Sequence, residues 1–186
     1  MCGYQIRDQK AAYYLTLQVV NWIDLFTRDD YRKIVVESLR FCQEKKGLEL
    51  FAWVLMSNHL HLIARSEKGD LSGTIRDFKS YTSKGIIQRV MEGPESRREW
   101  MLNLFKIAAG KHQRNLSYQV WTHENHAVEL LSNEFIWEKL EYLHNNPVRN
   151  GIVKEVWEYR YSSALNYADM EGELAVIKLS PRLMTY

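Results

Sequence analysis

Apolar positions follow two different spacings along the first third of the chain. The run Ala12–Val20 (AYYLTLQVV) is rich in Tyr, Leu, Thr and Val, a composition typical of a strand. From a start signal at Thr27 and Asp30, apolar positions then recur at helical spacing until Gly47 ends the pattern. Two more strands are predicted after this helix, Leu48–Met56 and His59–Ser66. The two-residue break between them favours an antiparallel hairpin.

The middle of the chain has helical spacing. Asp70 and Ser72 are candidate N-caps of a helix that runs to about Met91. A Pro-Glu-Ser segment at 94–96 separates it from another helix that ends near Gly110. The segment Leu116–Thr122 that follows is extended in pattern.

A last long helix is expected from Glu134 to about Asn146, with Ser132 as its N-cap. We expect Pro147 to terminate it, because the proline ring lacks an N–H donor and disfavours helical geometry in the preceding residue. The tail from Val156 onward is rich in aromatic residues and is expected to pack back onto the core.

Strands interleaved with helices, with one hairpin, predict an α+β fold in which helices cover an antiparallel sheet. The chain has 186 residues, 46% hydrophobic and 26% charged, which is typical of a single globular domain spanning 1–186. No apolar run approaches the roughly 20 residues that span a bilayer. The polar segment Met1–Lys10 does not match a signal peptide, so we expect a cytoplasmic protein.

The formal net charge is only +2, so the clustering of cations says more about partners than the total. Two groups are candidates for nucleic-acid contact or for ordinary solvated faces: Arg76, Lys79, Lys84 and Arg89 in one helix, and Lys106, Lys111 and Arg114 around the end of the next. Cys2 and Cys42 are too isolated to indicate a disulfide framework or a zinc site. Cys42 is expected to be buried.

His59 and His61 lie in a strand pattern whose other members are almost all apolar. Alternate residues of a strand point to the same face and lie roughly 6.6 Å apart along it, so both imidazoles project together. Two neutral imidazoles side by side are suited to a metal site. A pair of hydrogen-bonded surface histidines is the alternative interpretation.

Tyr142 and Asn146 are four residues apart in the last helix, which places them on one face. An asparagine oxygen is a reasonable third metal ligand beside two histidines, with the other positions left for water and a phosphate oxygen. Tyr142 would then stand beside the phosphorus as a nucleophile whose ester conserves the bond energy for rejoining. The alternative is a tyrosine that packs in the core with a satisfied hydroxyl.

Three segments occur in order along the chain: WVLMSNHLHLI, YLHNNPVRNGIV and YRYSSA. Together they resemble the HUH-type single-tyrosine transposases, particularly the REP-associated tyrosine transposases and related insertion-sequence enzymes. The resemblance extends from the first strand to about Tyr167. It implies a ferredoxin-like or RRM-like sandwich with the two histidines on a central strand.

The resemblance also implies a divalent cation, Mg²⁺ or Mn²⁺, bound through His59 and His61, and a homodimer. Tyr142 would be the nucleophile that forms a 5′-phosphotyrosine link during DNA transposition. Asn146 matches the third ligand of this branch, where better-studied insertion-sequence relatives use a glutamine.

Some features depart from the family or offer rivals. The helical segment at 93–116 looks longer than in compact relatives and is expected to be an insertion. Tyr81, on the helix after the histidine strand, is a rival nucleophile without the downstream Asn-Pro context. His123 and His126 are candidate DNA or metal contacts, or members of a polar loop around a core Trp121.

The expected substrate is single-stranded DNA, often hairpin-bearing, because a duplex hides base edges and stiffens the backbone. Basic side chains would hold phosphates while aromatic side chains stack bases. Arg149, directly after the Asn-Pro pair, is the preferred phosphate contact; the other candidates are Arg76, Lys79, Lys84, Lys111 and Arg114. Two alternatives stay open, a domesticated nucleic-acid-binding regulator that no longer cuts and a hydrolytic metallonuclease in which the tyrosine is a bystander.

Overall fold

The computed structural model describes residues 5–111 and 117–179. The strands are β1 (Tyr13–Gln18), β2 (Leu48–Leu55), β3 (His59–Ser66) and β4 (Val128–Glu129). The helices are α1 (Asp29–Lys46), α2 (Leu71–Glu92), α3 (Arg98–Gly110), α4 (Asn133–His144), α5 (Asn146–Arg149) and α6 (Ala164–Tyr167), with short 3-10 turns at Val20–Trp22 and Val156–Glu158. Leaving out α3, the chain through β4 follows the β-α-β-β-α-β order of ferredoxin-like folds.

The sheet has the strand order β2-β3-β1-β4, and each neighbouring pair is antiparallel. The central strands β1 and β3 pair along their full length, with Thr16 opposite His61 and Gln18 opposite His59. The predicted hairpin at Ser57–Asn58 joins β2 to β3. The expected α+β class and the ferredoxin-like sheet, with the histidines on a central strand, are confirmed. The two-residue strand β4 was not predicted.

Side-chain alternation gives the sheet two different faces. Leu60 and Leu62 are fully buried on one face, as are Leu15 and Leu17 of β1. His59 and His61 project from the other face, together with the β1 residues opposite them. Helices α1 and α2 contact each other and contact β2 and β3 respectively, while α4 contacts both of these strands. The fold thus holds the histidine face beneath α4.

Most helix boundaries follow from local capping. Asp70 accepts a hydrogen bond from the Gly73 N–H at 3.0 Å, and Ser132 accepts one from the Phe135 N–H at 3.2 Å, as expected of N-caps. Ser72 lies inside α2 and is not a cap. Helix α1 begins at Asp29, between the expected start signals Thr27 and Asp30, and has no side-chain cap. Gly47 ends α1 in the left-handed conformation (φ 70°), where a Cβ would be strained.

The prediction for Pro147 was wrong in one respect. Helix α4 ends at His144, but Asn145 keeps right-handed helical angles and α5 begins at Asn146 with proline in its first turn. A proline is tolerated there because the first N–H groups of a helix have no intrahelical acceptor. Pro147 therefore starts a new helical turn instead of ending the helical path.

The aromatic tail packs onto β2, as predicted. Tyr159 Oη donates to the Leu55 carbonyl at 2.8 Å, and the Leu55 N–H donates to the Tyr161 carbonyl at 2.9 Å. Inside the core, the Ser163 hydroxyl lies 2.8 Å from His144 Nε2 and accepts from the Trp53 N–H at 2.9 Å. This buried contact connects the end of α4 to the sheet.

Helix α3 is attached through the turn that precedes it. The buried Glu95 carboxylate accepts hydrogen bonds from the Tyr31 hydroxyl at 3.0 Å and from Arg97 Nε at 3.1 Å. Arg97 Nη1 also donates to the Asp24 carbonyl at 2.9 Å. The segment at 93–111 is thus anchored beside Asp24.

Two other expectations have structural answers. Cys42 is buried, as predicted. The segment expected to be extended up to Thr122 forms a single bridge, Val19 with Trp121, and its first residue, Leu116, lies outside the described residues. No helix within 5–111 and 117–179 is long and apolar enough to cross a bilayer.

Candidate active site

The imidazoles of His59 and His61 lie side by side at the N-terminal end of β3. Their ring centres are 4.6 Å apart and their planes differ by 72°. His61 is buried and His59 is partly exposed, so the two imidazoles are not a solvated pair on the surface. This arrangement favours the metal-site hypothesis over a pair of surface histidines.

The tautomer of His59 is determined by a chain of hydrogen bonds. Asn58 Oδ1 lies 2.7 Å from His59 Nδ1, and Asn58 Nδ2 donates to Asp24 Oδ1 at 3.0 Å. A carboxylate only accepts, so Asp24 orients the amide with its oxygen toward the imidazole. The amide oxygen also only accepts, so Nδ1 carries the proton. The lone pair of His59 is therefore on Nε2, the free nitrogen.

His61 is held by two hydroxyl groups from β1. Tyr14 Oη and Thr16 Oγ1 each lie 2.9 Å from His61 Nδ1. A hydroxyl can accept as well as donate, so this environment permits a protonated Nδ1 and a free Nε2. Such partners of the second ring nitrogen are typical of metal-binding histidines.

The electrostatic surroundings keep both imidazoles neutral. Burial lowers the pKa of His59 to about 4. Burial, followed by the charges of His59 and Arg149, lowers the pKa of His61 to about 3. Neutral imidazoles at physiological pH have the lone pairs that a cation requires.

Tyr142 of α4 reaches this pair from within the same chain. Its ring centre lies 6.2 Å from that of His61 and 6.4 Å from that of Tyr14, edge-on in both cases. The residue is 44% exposed. The alternative interpretation of Tyr142, a buried core residue, does not fit this exposure.

Arg149 stacks on the predicted nucleophile. Its guanidinium carbon lies 3.9 Å from the centre of the Tyr142 ring, and Nη2 donates to the Tyr142 carbonyl at 3.1 Å. A guanidinium in this position restrains the phenol and adds positive charge beside it.

Asn146 is buried at the start of α5. Its Oδ1 accepts a hydrogen bond from Asn150 Nδ2 at 3.0 Å, which leaves a second lone pair on the amide oxygen. No group of three or more His, Cys, Asp or Glu within the described ranges could hold a metal ion. The two imidazoles are donors that suit a divalent cation, and Asn146 stays a predicted third ligand.

Comparison with known proteins identifies the family of this chain. The family model described as IS200-like transposase matches residues 10–146, which include both histidines, Tyr142 and Asn146. The chain belongs to the IS200-like transposase family. A search of curated proteins found no match.

A solved structure has the same fold as this IS200-like transposase. The structure, of a REP-associated tyrosine transposase bound to a REP hairpin, aligns with a TM-score of 0.60 at 17% sequence identity. The alignment covers 97% of this chain and 96% of the other. The resemblance inferred from the three sequence motifs is confirmed.

Three of the six cations predicted to contact DNA line one groove of the transposase. Arg76, Lys79 and Lys84 of α2 line a cavity of about 760 Å³ against residues 117–125. Lys79 is partly withdrawn, because its Nζ donates to Asn125 Oδ1 at 2.6 Å and burial lowers its pKa to about 8. Lys111 lines a neighbouring cavity, and Arg114 lies outside the described residues.

The rivals of the site residues lie elsewhere. Tyr81 is 68% exposed on α2 and makes no ring contact with either site histidine in the described part of the chain. Trp121 is buried against Phe26 and Phe78, as expected. His123 and His126 follow it in a polar loop. His123 lines both cavities, and His126 lines the one that contains Lys111.

The sequence analysis missed several residues that surround the histidines. Asp24, Asn58, Tyr14 and Thr16 orient the two imidazoles, and Trp22 lies edge-on to His59 at 6.1 Å. Strand pairing could have indicated Thr16, since it is opposite His61 once β1 and β3 are aligned. No periodicity indicates Asp24 or Trp22, which lie in an irregular loop.

Proposed function

We propose that this protein nicks single-stranded DNA and transfers the strand through a covalent 5′-phosphotyrosine at Tyr142, with a divalent cation at His59 and His61. The observation that carries the proposal is the convergence of an exposed phenol with two neutral imidazoles, at 6.2 Å between the rings of Tyr142 and His61. Membership in the IS200-like transposase family supports the same chemistry.

The reaction would proceed in two balanced steps. The Tyr142 oxygen forms a bond to the scissile phosphorus as the bond from phosphorus to the 3′-oxygen breaks, and the departing 3′-oxygen takes up a proton while the phenol loses one. A 3′-hydroxyl then attacks the phosphotyrosine and releases Tyr142. The number of phosphodiester bonds is conserved, so no external energy source is required.

His59, His61 and Asn146 are the residues that would hold the cation, through the two Nε2 atoms and one amide oxygen. When bound, a Mg²⁺ or Mn²⁺ ion polarises the phosphate and stabilises the negative charge that develops on it. Asp24, Asn58, Tyr14 and Thr16 would keep the ring nitrogens in the required tautomers.

Arg149, which stacks on Tyr142, would pair with a phosphate. The α2 groove lined by Arg76, Lys79 and Lys84 suits a flexible anionic chain, and the substrate we propose is single-stranded or hairpin-bearing DNA. Because Tyr142 and both histidines come from one chain, a homodimer, which stays part of the proposal, would not be needed to complete the site.

The test is to incubate the protein with end-labelled single-stranded oligonucleotides and Mn²⁺. We expect a labelled adduct that survives denaturing electrophoresis with wild-type protein and with Tyr81→Phe, and no adduct with Tyr142→Phe or with His59→Ala and His61→Ala combined. Binding by Tyr142→Phe should persist, since the phenol oxygen is a reactant and not an anchor.

Two other outcomes would replace the proposal. Binding of the oligonucleotides without cleavage by the wild-type protein would indicate a regulator that no longer cuts. Cleavage without any adduct would indicate a hydrolytic metallonuclease in which Tyr142 has no covalent role.

A further inference from the structure

Trp22 is a large, solvent-exposed apolar side chain beside His59. Its indole is 58% exposed, whereas Ile23, Leu25 and Phe26, which follow it, are buried. Four of the aromatic rings at the site make successive contacts in the order Trp22, His59, His61, Tyr142. Trp22 therefore stands at the end of this series opposite the proposed nucleophile.

The backbone adopts an unfavourable conformation to present this side chain. Asn21 and Trp22 both have φ of 54°, in the left-handed region. Asparagine tolerates that region, but a bulky residue such as tryptophan rarely adopts it. Strain of this kind persists where the surrounding structure enforces it, and it occurs preferentially at functional sites.

Both sides of the strained turn are fixed. On one side the Val19 N–H donates to the Asn58 carbonyl at 2.9 Å and the Val20 N–H to the Val120 carbonyl at 2.8 Å. On the other side the Phe26 N–H donates to the Ser57 carbonyl at 2.7 Å. The backbone that carries the indole is thus fixed on both sides of the turn.

A second cavity lies next to this turn. A cavity of about 400 Å³ is lined by Asn21, by Gln18, which is opposite His59 in the sheet, and by Lys111. It shares Gln119, Thr122 and His123 with the α2 groove. The two cavities are therefore neighbours, and the smaller one includes the residue that precedes Trp22.

We infer that Trp22 is a base-stacking subsite that holds an unpaired nucleobase next to the scissile phosphate. An exposed indole on a fixed backbone, beside the proposed phosphate site, is suited to the stacking that single-strand-binding proteins use, and every base offers a flat face for it. The inference rests on the proposed function, because it assumes that single-stranded DNA crosses the histidine pair.

The experiment compares two probes of equal length, a short oligothymidylate and the corresponding abasic oligomer, by fluorescence anisotropy in EDTA. Both probes have the same phosphates, so the ratio of their dissociation constants reports base contacts alone. In wild-type protein we expect tighter binding of the thymidylate, and in Trp22→Ala a loss of that preference by about 5- to 100-fold. Trp22→Phe should retain part of it, and Trp100→Ala, which removes a tryptophan of similar exposure (51%), should retain all of it.

Photocrosslinking of an oligothymidylate that contains 5-iodouracil provides a second measurement, with an adduct expected on Trp22. An unchanged base preference in Trp22→Ala, together with no crosslink on Trp22 of the wild-type protein, would overturn the inference. If the wild-type protein bound neither probe, the proposed single-strand binding itself would fail, which is a different result from binding that ignores Trp22.

Discussion

Asn58 Oδ1 lies 2.7 Å from Nδ1 of His59, and the amide of Asn58 is in turn oriented by Asp24. Because neither the Asp24 carboxylate oxygen nor the Asn58 amide oxygen can donate a hydrogen bond, the His59 imidazole must present Nε2 as its free nitrogen. The HLH motif therefore depends on residues outside it. The backbone of Asp24 is also restrained, because its carbonyl accepts a hydrogen bond from Arg97 in the segment before α3.

Removing this orientation should weaken cation binding. We expect Asn58→Ala or Asp24→Asn to lower Mn²⁺ affinity about 10- to 100-fold in calorimetry, the usual effect of losing a partner of a ligating histidine. In the metal-free protein, ¹⁵N NMR of His59 should change from one Nδ1–H tautomer to a mixture. Asp169→Asn, an exposed carboxylate far along the chain, is the matched control. Unchanged affinity and an unchanged tautomer in both variants would refute the role of the relay.

Arg149 should contribute one phosphate contact. Replacement by alanine is expected to reduce the slope of log binding constant against log salt concentration by about 0.7, the value for one contact with single-stranded DNA. Arg160→Ala, which removes an arginine whose side chain is 62% exposed and paired with Glu173, should leave the slope unchanged. Anisotropy titrations over a range of salt concentrations provide the measurement. Equal slopes for wild type and Arg149→Ala would mean that Arg149 only stacks on Tyr142.

The buried contact between Ser163 and His144 should stabilise the helix that carries Tyr142. Ser163→Ala leaves His144 Nε2 and the Trp53 N–H without their partner, which costs about 1–3 kcal/mol. Urea unfolding should show this loss, and Ser80→Ala on the exposed face of α2 should not. If Ser163→Ala lowered the free energy of unfolding no more than Ser80→Ala does, the contact between Ser163 and His144 would not stabilise the fold, contrary to our expectation.

Glu95 should make the stability pH-dependent. Burial alone would raise its pKa, but hydrogen bonds and charge from Arg97, with a hydrogen bond from Tyr31, outweigh it and lower the pKa from 4.5 to about 2. A lowered pKa gives stability that is complete above about pH 4.5 and is lost as the pH falls toward 2.

The test compares wild type with Glu95→Gln by urea unfolding across that pH range. We expect wild type to be more stable by about 2 kcal/mol at neutral pH, after allowance for solvent screening, and the difference to vanish near pH 2. Glu92→Gln, at an exposed position near the end of α2, is the control. A difference that stayed constant with pH would mean that Glu95 acts by shape and not by charge.

Much of the fold could be predicted because the signals were local. Strand β3 was predicted with its observed bounds, since apolar alternation begins at His59 and continues to Ser66, and Asp70 and Ser132 cap the helices that they were expected to cap. The join of α4 and α5 was mispredicted because a proline suits a first helical turn as well as it interrupts a helical interior.

The site was predictable only as far as its motifs reach. The strand period placed His59 and His61 on one face, and the motifs pointed to Tyr142, but no local rule states that α4 crosses that face. Asp24 and Trp22 depend on an irregular loop with two left-handed residues, and such a backbone is decided by tertiary contacts that no sequence window contains.

The central claim is that Tyr142 becomes covalently joined to DNA beside the histidine pair. Mass spectrometry of the proteolysed adduct, formed with a single-stranded oligonucleotide and Mn²⁺, tests it most directly. The account predicts a nucleotide attached through a 5′-phosphate to the peptide that contains Tyr142. A nucleotide attached to Tyr81, or cleaved DNA with no modified peptide, would contradict it.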